Sequence, residues 1–125
     1  MLWLYRILFI PALLLGTPYY LARMSKRGGY RENFRQRFGI VDPLPSKSSA
    51  KKRIWLQAVS VGEMLAIEPL LRAWQAEDSV EVYLTTTTST GYQLARDRYE
   101  EYTIGIGYFP LDWAPFSSRA WKQLK

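Results

Sequence analysis

The ten residues from Ile54 to Glu63, which read IWLQAVSVGE, constrain the fold of this chain more than any other stretch. The apolar run of β-branched and aromatic residues over 54–59 predicts a buried strand. The SVGE residues that follow predict a tight turn into a helix. In parallel α/β sheets, ligands bind at the carboxyl ends of the strands. The sequence therefore predicts that the Glu63 carboxylate lies at a ligand-binding edge.

Two interpretations of Glu63 are open at this point. The spacing Ser60-x-x-Glu63 fits a capping box, in which the hydroxyl and the carboxylate satisfy free N–H groups at a helix start. The carboxylate is also a candidate for proton transfer. The chain contains no histidine and no cysteine, so thiolate metal sites and disulfides are excluded and acid–base chemistry falls to carboxylates, tyrosines or lysines. Both roles can coexist in one side chain.

A second strand–turn–helix unit follows. Residues 80–86 alternate between apolar and polar and predict a strand, and residues 92–99 predict a helix. Between them lies the hydroxyl-rich run TTTTSTG over 85–91. Its backbone N–H groups at a helix start could bind an anion. The alternative is that Ser89 or Thr90 serves only as a helix N-cap.

A third unit completes the pattern. A glycine-broken strand is predicted over 103–109, and Asp112 follows it as a further strand-end carboxylate or as a turn or cap residue for a helix over 114–124. Pro69 is expected to kink the first helix or to begin a second segment. Three strand–helix pairs predict half of a doubly wound parallel sheet, whose right-handed crossovers bring all three loops to one edge.

The N-terminal residues 1–25 predict a membrane anchor. Sixteen residues from Ile7 to Ala22 carry no charge, and the basic residues that follow place the rest of the chain in the cytoplasm by the positive-inside rule. About 20 residues are usually needed to span a bilayer. Pro11, Gly16 and Pro18 also weaken a straight helix, so both a spanning segment and one that lies in a single leaflet remain open.

Residues 26–53 form a basic segment that ends in a predicted linker over 39–53. Residues 1–53 carry eleven Lys/Arg and two acidic residues, a balance of +9, whereas residues 54–125 carry six and nine, a balance of −3. Because this charge follows an apolar segment, we expect an anionic lipid surface rather than nucleic acid as the partner. If helical, the segment has a basic stripe beside an aromatic stripe of Tyr30, Phe34 and Phe38. The alternative is that the aromatic stripe packs on the domain and the arginines are solvated. The basic stripe comprises Arg27, Arg31 and Arg35.

Several motifs in this order resemble one known family. They are RENFRQRFG after the apolar segment, WLQAVSVGE followed by PL, then TTTSTG, then YFPLD. The chain resembles the N-terminal half of the 3-deoxy-D-manno-octulosonic acid (Kdo) transferases. The resemblance implies a Rossmann-like, three-layer α/β half-domain with a parallel sheet over 54–125, the acceptor-side domain of a GT-B glycosyltransferase. It also implies a location on the cytoplasmic face of the bacterial inner membrane, with an N-terminal anchoring helix.

The resemblance further implies an activity and a set of site residues. Family members transfer Kdo from CMP-Kdo to the lipid A precursor (lipid IVA) in lipopolysaccharide biosynthesis, with the glutamate of the SxGE motif, here Glu63, as general base. It implies no cofactor and no metal. Together with the strand-end carboxylate, the motif positions expected to bind substrate are Ser60, Gly62, Thr86, Thr88, Thr90, Gly91 and Asp112.

Length is where the chain departs from the family. Donor binding in the family falls mainly on a C-terminal domain that would lie beyond Lys125, so the isolated chain is expected to transfer nothing. Two alternatives remain. One is a membrane-anchored module that binds glycolipid without catalysis. The other is a different GT-B enzyme that acts on a lipid-linked sugar.

Overall fold

The computed structural model describes residues 2–26 and 33–125 and divides the chain into two compact units, Met1–Glu32 and Asn33–Lys125. The first contains helix α1, Leu2–Lys26, with Pro11 and Pro18 inside it. The predicted helix is therefore present. Among the described residues, however, no helix has both the length and the apolarity needed to cross a membrane. The spanning alternative predicted from the sequence is therefore not supported.

The second unit is built on a parallel sheet of three strands. They are β1 (Lys52–Gln57), β2 (Val80–Thr86) and β3 (Gly105–Tyr108), in the order β1-β2-β3. Leu56 lies opposite Leu84, which in turn lies opposite Ile106. The predicted α/β class and parallel sheet are confirmed. Because all the strands run the same way, their carboxyl ends meet at one edge.

Four α-helices complete this unit, and their starts follow the local sequence. They are α2 (Val61–Ala66), α3 (Glu68–Glu77), α4 (Ser89–Tyr99) and α5 (Ala114–Leu124). Pro69 lies in the first turn of α3, so the prediction that it begins a second segment is confirmed. Helix α4 begins three residues before the predicted position because Thr88 caps it. Two short 3-10 helices span Phe34–Phe38 and Glu100–Tyr102.

The core lies between one face of the sheet and helices α2 to α4. Its fully or nearly fully buried side chains include Met64 from α2, Leu71 from α3 and Tyr99 from α4. Alternation along β2 sends Val82 and Leu84 to this face. The opposite face carries Trp55, whose ring stacks on Trp121 of α5 at 6.2 Å between centroids. Helices therefore cover both faces.

The segment predicted as a linker packs against the sheet. Arg53 donates to a carboxylate oxygen of Glu81 at 3.0 Å, with 7% and 12% of the two side chains exposed, and also to the Pro45 carbonyl at 2.7 Å. Gly39 adopts a φ of 75°, and a Cβ there would lie 2.1 Å from the Phe116 carbonyl oxygen. The compact unit thus begins at Asn33, before the boundary at residue 54 drawn from the sequence.

The predicted basic stripe falls mostly outside the described residues. Arg27 and Arg31 belong to residues 27–32, which the structure does not describe, while Arg35 is exposed on the first 3-10 helix. Phe38 contacts Phe116 edge to face at 5.3 Å. Its ring therefore packs on the domain. This agrees with the interpretation in which the aromatic residues of the segment face the domain.

Candidate active site at the carboxyl edge of the sheet

The Glu63 carboxylate lies at the carboxyl end of β1 and is exposed. Ser60 is the N-cap of α2, and its hydroxyl oxygen accepts from the Glu63 N–H at 3.2 Å. Glu63 Oε2 accepts from the Val59 N–H at 2.8 Å. A standard capping box would use the N–H of the cap residue itself, so this carboxylate reaches one residue further back. The cap and the exposed edge position coexist, since capping uses one carboxylate oxygen and leaves the side chain open to solvent.

The threonine run after β2 divides into buried and exposed positions. Thr88 caps α4, because its Oγ1 accepts from the Gly91 N–H at 3.1 Å. Thr90 is exposed. Thr86, by contrast, is 0% exposed, and its Oγ1 has no hydrogen-bond partner in the described part of the chain. Alternation along β2 turns Thr86 under α4, so its hydroxyl does not reach the surface where a substrate would bind.

Gly91 allows α4 to approach the end of β2. A Cβ at this position would lie 2.6 Å from Thr86 Oγ1 and 2.9 Å from Thr88 Oγ1. Both distances are well below the roughly 3.5 Å at which non-bonded heavy atoms rest. Gly91 therefore has a packing role at the first turn of α4. At Gly62 the space is open, since the nearest atom to a Cβ would be Ser60 Oγ at 3.9 Å.

The loop after β3 places Asp112 at the same edge. Asp112 is exposed, and its predicted role as a cap is not observed because Trp113 is the N-cap residue of α5. Leu111 donates its N–H to the Arg37 carbonyl at 2.9 Å, which ties this loop to the first 3-10 helix. Among the hydrogen bonds and ion pairs of the described residues, none joins Asp112 to Glu63.

The first two loops are in direct contact. Thr87 Oγ1 donates to the Val59 carbonyl at 3.4 Å, beside the Val59 N–H that binds Glu63. The Thr87 carbonyl accepts from Arg37 Nη2 at 3.2 Å. The Arg37 guanidinium lies 4.3 Å from the centre of the Tyr108 ring, at the end of β3. The structure thus brings the SVGE turn and the threonine run together.

Arg37 is the residue at this edge that sequence reasoning missed. It was counted with the basic segment, but only 9% of it is exposed. The 3-10 helix turns Gln36 and Arg37 inward, and Gln36 Oε1 accepts from the Tyr108 N–H at 2.8 Å. Burial of this kind depends on contacts with β3 that are distant in sequence. The sequence feature that could have indicated a role for Arg37 is its place in the RQRFG motif.

Within residues 2–26 and 33–125 there is no cluster of three or more acidic, His or Cys side chains that could bind a metal ion. Burial, with smaller effects of Asp42 and Tyr92, raises the pKa of Tyr83. That phenol therefore stays protonated. It lines a cavity of about 290 Å³ beside β3, away from Glu63.

One ion network braces α3 against α4. Glu68 accepts from Arg72 at 2.8 Å, from Arg98 at 3.4 Å and from the Tyr99 hydroxyl at 3.2 Å. The hydrogen bond from Arg72 holds the pKa of the Glu68 carboxyl below its ordinary value of 4.5. Glu68 is therefore a carboxylate with structural partners, whereas Glu63 is exposed at the edge.

A three-stranded parallel sheet covered on both faces, with polar loops at the carboxyl ends of its strands, defines an α/β unit of the class in which ligands usually bind at that edge. Residues 32–125 match the family described as 3-Deoxy-D-manno-octulosonic-acid transferase (kdotransferase), and the chain belongs to this family. The resemblance seen in the sequence motifs is confirmed.

Curated relatives carry the same family name. The chain is 28% identical over 110 residues to a 3-deoxy-D-manno-octulosonic acid transferase of Chlamydia trachomatis serovar D, a match that covers 87% of this chain and 25% of the relative. The corresponding protein of Chlamydia muridarum is 26% identical, with the same coverage. The chain thus spans about a quarter of the length of these relatives. No solved structure gives a significant match.

Proposed function

We propose that this chain is the acceptor-side part of a Kdo transferase, a GT-B glycosyltransferase that moves Kdo from CMP-Kdo to a lipid A precursor such as lipid IVA. In this proposal Glu63 is the general base that removes the proton of the acceptor hydroxyl. The observation that carries it is the position of Glu63, exposed at the carboxyl edge of the sheet with one oxygen fixed by the Val59 N–H at 2.8 Å. Family membership supports the reaction class.

The geometry suits a base. An alcohol that attacks an anomeric carbon must lose its proton as the new bond forms, and a carboxylate within about 3 Å can accept it. The bond from Val59 limits the rotation of the Glu63 side chain, so the second oxygen is available at a defined place. Positioned acid–base groups typically contribute 10²- to 10⁴-fold to rate. Thr90, Asp112 and the open face beside Gly62 are the candidate substrate contacts at this edge.

The surface beside Glu63 suits an acceptor with an apolar part. Val59, Val61 and Leu65 surround the start of α2 and are 40–44% exposed. A glycolipid that presents its hydroxyl to Glu63 would lay apolar groups against these side chains. We propose that the chain works on the cytoplasmic face of the bacterial inner membrane, with α1 lying at the interface and the exposed Arg35 contacting anionic lipid.

A fusion of this chain to the part of the C. trachomatis relative beyond the match provides the test. We expect Glu63→Gln to lower its turnover of CMP-Kdo with lipid IVA by about 10²- to 10⁴-fold. The amide oxygen can still accept from Val59, so the melting temperature should change little. Glu68→Gln is the matched control: this carboxylate is bound by Arg72 and Tyr99, so its loss should lower stability more than turnover. Unchanged turnover in Glu63→Gln would leave Glu63 a cap only.

A second function is favoured by the exposed apolar side chains beside Glu63. In this alternative the chain is a glycolipid-binding module without catalysis. In that case Glu63→Gln would leave the binding of lipid IVA vesicles unchanged, and the unfused chain with CMP-Kdo would give no product. Transfer from a different sugar nucleotide by the fusion would instead indicate another GT-B activity on a lipid-linked sugar.

A further inference from the structure

Val59 links Glu63 to the loop after β2 by two hydrogen bonds. Its N–H donates to Glu63 Oε2 at 2.8 Å, and its carbonyl accepts from Thr87 Oγ1 at 3.4 Å. These groups belong to the two peptide planes on either side of the Val59 Cα. Since both planes are tied, the backbone direction at Val59 is defined by the neighbouring loop as well as by its own turn.

Arg37 fixes the loop that carries Thr87. Its Nη2 donates to the Thr87 carbonyl at 3.2 Å, and its guanidinium plane lies over the Tyr108 ring at 4.3 Å. Its own carbonyl accepts from the Leu111 N–H at 2.9 Å. A single buried residue therefore contacts the loop after β2, the end of β3 and the loop that follows it.

We propose that Arg37 and Thr87 are positioning residues for Glu63. Arg37 fixes the position of the Thr87 carbonyl, and the Thr87 hydroxyl fixes that of the Val59 carbonyl. The Val59 N–H then fixes one oxygen of the Glu63 carboxylate. This inference deepens the proposed function and rests on Glu63 being its base. Lysine cannot replace Arg37, because an ammonium has neither the planar face that lies on Tyr108 nor donors in a fixed plane.

The hydroxyl of Thr87 gives the sharpest test. In the 125-residue chain labelled with ¹³C and ¹⁵N, Thr87→Val keeps the side-chain shape and removes the donor, whereas Thr87→Ser keeps the donor. We expect Thr87→Val to shift the Glu63 carboxylate carbon resonance and to speed exchange of the Val59 amide about fivefold, which corresponds to about 1 kcal/mol for one hydrogen bond. Thr87→Ser should restore both signals.

Thr103→Val is the matched control. The Thr103 hydroxyl also donates to a carbonyl, that of Tyr99 at 3.0 Å, but on the far side of the unit. It should leave the Glu63 and Val59 signals in place. Two results would overturn the proposal: Glu63 signals that do not respond to Thr87→Val, or equal shifts in Thr87→Val and Thr87→Ser.

Arg37→Lys tests the other end of this series of hydrogen bonds, at the buried Arg37. We expect it to reproduce the Glu63 carboxylate shift of Thr87→Val and to add no further shift in the double variant, because both act along one path. Additive shifts would refute the path through Thr87. The turnover of Glu63→Gln tests the base role separately, so positioning and catalysis can fail independently.

Discussion

Two glycines at helix starts should respond to alanine with opposite sign. Gly91 is the third residue of α4, and a Cβ there would lie 2.6 Å from the hydroxyl of fully buried Thr86. Alanine in a helix is usually better than glycine by roughly 0.5–1 kcal/mol. Overpacking against a side chain that cannot move aside costs about 1–3 kcal/mol. The cost of overpacking exceeds the gain in helix propensity, so Gly91→Ala should lower the free energy of unfolding by about 1 kcal/mol.

Gly62 is the control, because it is the second residue of α2 and a Cβ there meets open space. Gly62→Ala should therefore keep or raise stability. In urea unfolding followed by far-UV circular dichroism, 1 kcal/mol is readily resolved, and in a thermal scan it shifts the midpoint by about 4–8 °C for a domain of this size. Thr86→Ala should recover most of the loss in Gly91→Ala. If both glycine variants gain stability, the close approach of α4 to β2 is wrong.

Four further variants follow from contacts in the second unit. Gly39→Ala should cost at least about 2 kcal/mol in urea unfolding, because the site combines a positive φ with a backbone oxygen in the path of the Cβ. Glu81→Gln should cost about 3 kcal/mol by leaving the buried Arg53 without its carboxylate, while Arg53→Met with Glu81→Leu should come close to wild type. Because the pKa of Glu68 is lowered in the folded state, the stability it contributes is present above pH 4.5 and is lost as the pH falls through the folded value. Glu68→Gln should flatten that part of the pH–stability curve, and an unchanged acid limb would contradict the Arg72 assignment.

The elements of the sheet unit could be predicted from local signals. β2 has the predicted bounds because its alternation is regular, and Pro69 starts α3 because it has no N–H to lose in a first turn. The Ser60-x-x-Glu63 spacing predicted the cap, although its target at Val59 could not be read from spacing. Such features depend only on residues close in sequence.

What could not be predicted depends on contacts between distant segments. Residues 39–53 were predicted to be a linker and Arg37 was assigned to the basic segment, yet Arg53 pairs with Glu81 and Arg37 lies over the Tyr108 ring. Thr86 matched a motif and was expected to bind substrate, but the register of β2 turns it into the core. Side-chain direction on a strand follows from pairing, and pairing is a property of the whole sheet.

The two outer edges of the sheet, formed by β1 and β3, differ in the surroundings of their backbone N–H groups. On β3, the Tyr108 N–H is already bound by Gln36. On β1, the ladder to β2 uses the N–H groups of even-numbered residues such as Lys52 and Ala58. The backbone N–H of Trp55 therefore points away from β2, toward the outer edge of β1. A strand that paired with these outward-facing groups of β1 would lie beside the turn that carries Glu63.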